Sequence, residues 1–291
     1  MSAKKILEIR REVAPHWVGD GFPVRTLFSY DEDPSGISPF LLLDYAGPME
    51  FLPATHRRGV GGHPHRGFET VTIVFQGELE HRDSKGHHGK IGPGDVQWMT
   101  AASGLVHEEF HGQEFTRNGG TLEMAQLWVN LPAAEKMSPP RYQEITARQI
   151  PVVPLEGRAG TARVIAGTFR DVRGPAKTVT PIELWDLRLN AAGHVPLELE
   201  DGFSTILLLR KGSVTINGKT AVAGVALIVL DPIGDRVELA CGADEGASIL
   251  VLAGEPIDEP IAGRGPFVMN TPDELRQAIR DYQAGAMGSL E

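Results

Sequence analysis

A chain of 291 residues with 34 glycines, 21 prolines and a single cysteine, Cys241, carries a formal charge of −10 at neutral pH. That length favours two domains of ordinary size, the acidic balance without a Lys/Arg cluster argues against a direct nucleic-acid footprint, and one thiol excludes an intramolecular disulfide and suits a reducing compartment. Residues 1–11 carry charges where a secretory leader needs an apolar run, and the longest apolar stretch, around 225–230, is too short for a bilayer, so a cytoplasmic protein with no membrane contact is expected.

Glycine and proline are scattered between short alternating runs, the signature of an all-β sandwich or closed antiparallel barrel. Strands are expected at 40–44, 70–75, 78–82, 96–100, 125–130, 182–189, 205–210, 214–216, 226–230 and 248–253. Residues 131–140, continued through Ile150-Pro151-Val152-Val153-Pro154, read as a connection, which gives domains of 1–148 and 149–291. The clearest helix is terminal, at 272–283: Thr271 can cap, Pro272 suits the first helical position and Glu274 completes a capping box.

Two ligand pairs stand out, His63-Pro64-His65 and His107-Glu108-Glu109. Residues two apart on a strand share a face, so each pair can converge on one ion. Three imidazoles and a carboxylate suit Fe(II), and also Mn, Ni, Cu or Zn, since no thiolate selects a softer metal.

A weak internal repeat sets Phe75-Gln76-Gly77-Glu78-Leu79 beside Arg210-Lys211-Gly212-Ser213-Val214. Offsets that reach the ligands from Gly77 and Gly94 reach Glu198, Glu200, Val237 and Leu239 from Gly212 and Gly224. The second half thus lacks half the set; Glu198 and Glu200 read as solvated strand residues and His194 as a turn residue. His81, His87, His88 and His111 are not counted as ligands either; His87 and His88 are expected in solvent after a turn.

The runs His63-Pro64-His65-Arg66-Gly67-Phe68-Glu69-Thr70-Val71-Thr72, Gly92-Pro93-Gly94-Asp95-Val96-Gln97-Trp98-Met99-Thr100-Ala101, Gln126-Leu127-Trp128-Val129-Asn130-Leu131-Pro132 and Gly265-Pro266-Phe267-Val268-Met269-Asn270-Thr271 resemble the pirin family. The resemblance covers nearly the whole chain. It implies two jelly-roll (cupin) β-barrels packed face to face with a short C-terminal helix, and a metal, usually Fe(II), in the N-terminal barrel only, held by His63, His65, His107 and Glu109. Glu69, a ligand position in many single-domain cupins, is left outside this set. Pirins often read Ala-Gly-x-Gly-Ile before the third histidine, where this chain has Ala101-Ala102-Ser103-Gly104-Leu105; the stretch 51–62 is individual to it.

Several pirins resemble flavonol 2,4-dioxygenases, which implies O2-dependent opening of the central ring of quercetin with release of carbon monoxide. Glu109 would then be ligand and base, accepting the flavonol hydroxyl proton. Phe68, Trp98, Met99 and Trp128 are wall or core residues, and Gln126 and Arg66 candidates for holding a ligand or substrate oxygen, Arg66 equally for a structural ion pair. The family also includes redox- or metal-dependent regulators that bind a transcription factor or metabolic enzyme, so a protein partner is the alternative.

Overall fold

Alternating short runs become antiparallel strands in the computed structural model, which describes residues 2–11, 13–31 and 36–290. Contacts divide the chain into two units, one of Met1–Val13, Ser35–Pro39 and Arg148–Pro256, the other of Ala14–Pro34, Phe40–Ala147 and Ile257–Glu291. The division in the middle of the chain falls between Ala147 and Arg148, and each end of the chain belongs with the other half. The strand Ile6–Arg10 pairs with Ala226–Leu230, which carries the start of the chain into the C-terminal unit. Residues 257–291 join the N-terminal one.

In the C-terminal unit the main sheet runs in the order Ile6–Arg10, Ala226–Leu230, Ser204–Ile216, Ala247–Gly254, Ile182–Leu189, Gly160–Ala166, Val152–Leu155. Two expected strands, at 205–210 and 214–216, are one, Ser204–Ile216, whose register shifts between Leu209 and Lys211. Its first part pairs with Ala226–Leu230 and its last residues with Thr220–Ala223 and Arg236–Ala240, so one strand serves two sheets. Trp185, Leu197, Leu207, Val237, Leu239 and Val251 fill the space between. Val237 and Leu239, the positions that the repeat aligns with His107 and Glu109, are thus core, while Glu198 and Glu200 are exposed.

The N-terminal unit has a seven-stranded sheet in the order Arg141–Ile145, Val96–Thr100, Phe68–Gln76, Gly120–Asn130, Phe40–Phe51, Phe22–Ser29, His16–Val18, and a four-stranded sheet of Gly59–His65, Leu105–His111, Leu79–Asp83 and His88–Ile91. Val74, Met124 and Ala46 from the first meet Leu79 and Ile91 from the second in a shared apolar core. The two faces of a β-sandwich are recognisable in this pairing.

The tail is built into this unit. Arg66 and Phe267 form an isolated bridge, and Arg66 donates from Nε to the Ser103 carbonyl (2.7 Å) and from Nη1 to Asp281 (2.7 Å). Lys136, 1% exposed, donates to the Gly67 carbonyl (2.7 Å), Asn130 Oδ1 (2.6 Å) and the Val268 carbonyl (3.0 Å), and burial pushes its pKa down to about 7. Gly67 lies so close to this tail that a Cβ would sit 1.9 Å from the Val268 oxygen. The helix Pro272–Gln283 carries the expected Thr271/Glu274 capping box, and its buried Ala278 packs with Val106, Phe267 and Met287. No helix among the described residues is long and apolar enough to cross a membrane.

Ala102, where the resembled pattern has glycine, takes φ of 42° and accepts the Gly67 N–H at its carbonyl (2.8 Å). The left-handed region costs an L-residue roughly 1–2 kcal/mol, against roughly 0.8 kcal/mol regained by burying its methyl group. Ala102→Gly is accordingly expected to change the unfolding free energy by less than about 1 kcal/mol, while Ala101→Gly, equally buried without the positive φ, loses about 1 kcal/mol or more. Urea titration of both variants checks this; equal losses would show that position 102 is unstrained.

Candidate metal centre

Leu105–His111 is the central strand of its sheet, paired with Gly59–His65 on one side and Leu79–Asp83 on the other. His63 lies directly opposite His107 and His65 opposite Leu105. A register shift after His107 places Glu109 against Val60, while across the other edge Glu109 faces His81 and His107 faces Asp83. Strand alternation turns His107 and Glu109 the same way and Glu108 the other, where it meets Arg82 at 3.0 Å.

The three predicted histidines come together. Ring centroids of His63 and His107 lie 4.2 Å apart, and those of His65 lie 4.9 Å from each. One nitrogen of each falls within 4.8 Å of the others. His65 and His107 are buried, and burial, reinforced by the neighbouring imidazoles, holds their pKa values well below the usual histidine range. Both rings are therefore neutral, with a lone pair to offer. His65 Nδ1 and His107 Nε2 are buried without a hydrogen-bond partner, an arrangement that costs free energy unless an electrophile takes the lone pair. These donors fit a divalent transition ion.

His81, set aside in the sequence, is 4% exposed and directly supports this cluster. Its Nε2 lies 3.3 Å from Asp83 Oδ2, and its Nδ1 lies 3.3 Å from both His107 Nδ1 and Gln97 Nε2. Because the carboxylate can only accept, His81 carries its proton on Nε2 and its Nδ1 accepts; His107 then donates from Nδ1, which leaves Nε2 as the open lone pair. Burial alone would raise the Asp83 carboxyl, but hydrogen bonds from His81, the His87 and Lys85 backbone and the His87 ring hold it at about 2. Tyr142 stacks on His81 (centroids 4.9 Å) and donates to Gln97 Oε1 (3.2 Å), which directs the Gln97 amide group at His81 and Glu109.

Glu109 Oε1 accepts from Gln97 (3.0 Å) and lies 3.2 Å from the Thr72 hydroxyl. Its carboxylate shares a second close set, within 4.8 Å, with His81 and His107. His107 is the member common to both sets. His63, His65 and Glu109 open onto one cavity of about 310 Å³, lined otherwise by Val18, Phe22, Val24, Asp44, Val60, Met124, Gln126 and Trp128.

The remaining candidates separate clearly. Trp128 lines the cavity, with His65 5.2 Å from it and 5.1 Å from Phe68, whereas Phe68, Trp98 and Met99 are fully buried. Arg66 is a structural tie to the tail. Glu69 alternates away from Thr70 and Thr72, accepts from Thr100 (2.6 Å) and is pushed by burial up to about 7. His111 donates to the Gly21 carbonyl (2.8 Å) among Phe22, Phe51 and Phe115. His88 is exposed as expected, but His87 is half-buried on Asp83 and Tyr142.

Two β-sheet units, one holding a histidine cluster on adjacent strands, define a double cupin with a candidate metal centre. The Pirin model matches residues 21–129 and the Pirin C-terminal cupin domain model residues 184–288; the chain belongs to the pirin family. A Pseudomonas aeruginosa protein bearing the name "Putative quercetin 2,3-dioxygenase" is 55% identical over 97% of this chain and 98% of its own. A solved quercetin 2,3-dioxygenase from Acinetobacter baumannii is 48% identical with a TM-score of 0.95, covering 100% of both chains. The pirin YhhW of Escherichia coli, solved with nickel(II), shares the fold at a TM-score of 0.64 and 23% identity, over 86% of this chain and 100% of that one.

His81→Phe keeps a ring against Tyr142 but removes the acceptor for His107. Metal affinity is expected to fall by roughly 10–100-fold, with the fold intact by circular dichroism; unchanged affinity in competition with a chelator would show that His81 does not orient His107. Glu69 supplies a pH signature. Between its unfolded value near 4.5 and its folded value of about 7 the native state keeps a proton that the unfolded state has lost, so stability falls as pH rises through that window. Glu69→Gln is expected to stabilise the protein at pH 8 relative to pH 4 by on the order of 2–3 kcal/mol compared with the parent; parallel pH profiles would contradict it.

Proposed function

We propose that this protein is a metal-dependent dioxygenase of the quercetinase type, with His63, His65, His107 and Glu109 holding one divalent transition ion, Fe(II) foremost. The observation that carries this reading is that His63, the neutral His65 and the Glu109 carboxylate, clustered with the buried His107, line a half-open, mainly apolar cavity of about 310 Å³, at the low end of the 300–1,000 Å³ typical of small-molecule sites. Relatives named for quercetin dioxygenation support the substrate class. A redox-responsive regulator needs no such chamber, so the enzymatic reading is preferred. One cysteine, half-buried and unreactive by its raised pKa, accords with a cytoplasmic setting.

A bound ion would supply Lewis acidity toward a chelating hydroxyl and carbonyl, and a redox partner for O2. The protein's own groups do the rest. Gln97 fixes one oxygen of Glu109, leaving the other to accept the proton of a flavonol hydroxyl. Trp128, Met124, Phe22 and the three valines exclude water and favour a flat aromatic ring.

Protein loaded with Fe(II) and mixed with quercetin in air is expected to consume flavonol and release carbon monoxide. Glu109→Gln should lower kcat by roughly 10²–10⁴-fold and His107→Ala should abolish stoichiometric metal binding. Fully metallated protein that leaves quercetin untouched would end this reading.

A further inference from the structure

Asp44 is a polar group in the cavity that proton transfer by Glu109 leaves unused. It stands in a row of five polar residues, each the cross-strand neighbour of the next: Thr26, Asp44, Gln126, Thr72 and Gln97. Thr26 donates to Asp44 Oδ1 (2.5 Å), and Thr72 donates to Gln126 Oε1 (2.7 Å). Asp44 Oδ2 and the Gln126 amide N–H groups have no hydrogen-bond partner among the described residues, and both residues line the cavity. Asp44 makes no ion pair among those residues, although His16 acts on it at longer range, and burial raises its carboxyl pKa.

A carboxylate set beside Val18, Val24 and Met124 with one hydrogen bond is costly, and the Thr26 contact would be met as well by an uncharged amide. An acceptor and a donor on paired strands together match one chemical group, a hydroxyl that donates a hydrogen bond to Asp44 and accepts one from Gln126. We propose that Asp44 and Gln126 are a specificity pair that selects aromatic substrates bearing ring hydroxyls beyond the chelating one. This rests on the flavonol reading for its choice of probe.

The test is binding to metal-loaded protein without oxygen, read by tryptophan fluorescence, with quercetin and with 3-hydroxyflavone, which lacks every other ring hydroxyl. The parent is expected to bind quercetin at least tenfold more tightly. Asp44→Asn and, separately, Gln126→Leu should each weaken quercetin binding about tenfold while changing 3-hydroxyflavone by less than about threefold, with metal stoichiometry unchanged. Loss of the preference in either variant with retained metal supports the pair. Equal weakening of both probes, a parent without preference, or no binding of either probe overturns it. Selective binding without turnover in air defeats the dioxygenase reading alone and leaves the pair standing.

Discussion

His107 lies opposite His63 in antiparallel register, and the features of the candidate site depend on that pairing. It brings two ring centroids to 4.2 Å before any side-chain preference is exercised; the neighbouring pair on the same strands supplies His65, and the strand Leu79–Asp83 on the other side supplies His81. A slip of one residue would turn every one of these side chains to the opposite face. The site is therefore as specific as the sheet that carries it, and its geometry is held by backbone hydrogen bonds rather than by a mobile loop.

Around that pairing the protein keeps charge scarce and directed. Burial keeps His65 and His107 neutral, while Asp83, well supplied with donors, stays ionised and fixes the tautomer of His81 and so of His107. Tyr142, from the strand Arg141–Ile145, reaches across to Gln97 and orients its amide, which in turn restrains Glu109. Four residues on three strands, Asp83, His81, Tyr142 and Gln97, thus orient His107 and Glu109.

Much of this was legible in the sequence because strands impose a two-residue period. The close approach of the candidate histidines, most strands and the capped helix follow from local pattern, and Pro272 sits at the first helical position. His81 was not legible: one histidine on a strand beside two others at a turn gives no local sign that Asp83 and His107 will flank it. The end segments were hidden for a different reason. A capping box says that Pro272–Gln283 is a helix but not which core it covers, and Ile6–Arg10, with only Ile6 and Ile9 packed on the core, gives little hint of pairing with Ala226–Leu230. Asp44 was passed over because an acid inside an apolar alternation looks like one more strand residue until the cavity is seen.

The tail that braces Arg66 and Gly67 has a temporal meaning. His65 sits beside residues whose partners, Pro266, Val268 and Asp281, are synthesised some two hundred residues later. A nascent chain that has just finished the strand Arg141–Ile145 has all four candidate ligands but not the segment that anchors one of them. The brace beside His65 is therefore complete only when the end of the polypeptide folds back, and a chain truncated before 257 would carry the three clustered imidazoles without the contacts that tie down Arg66 and Gly67.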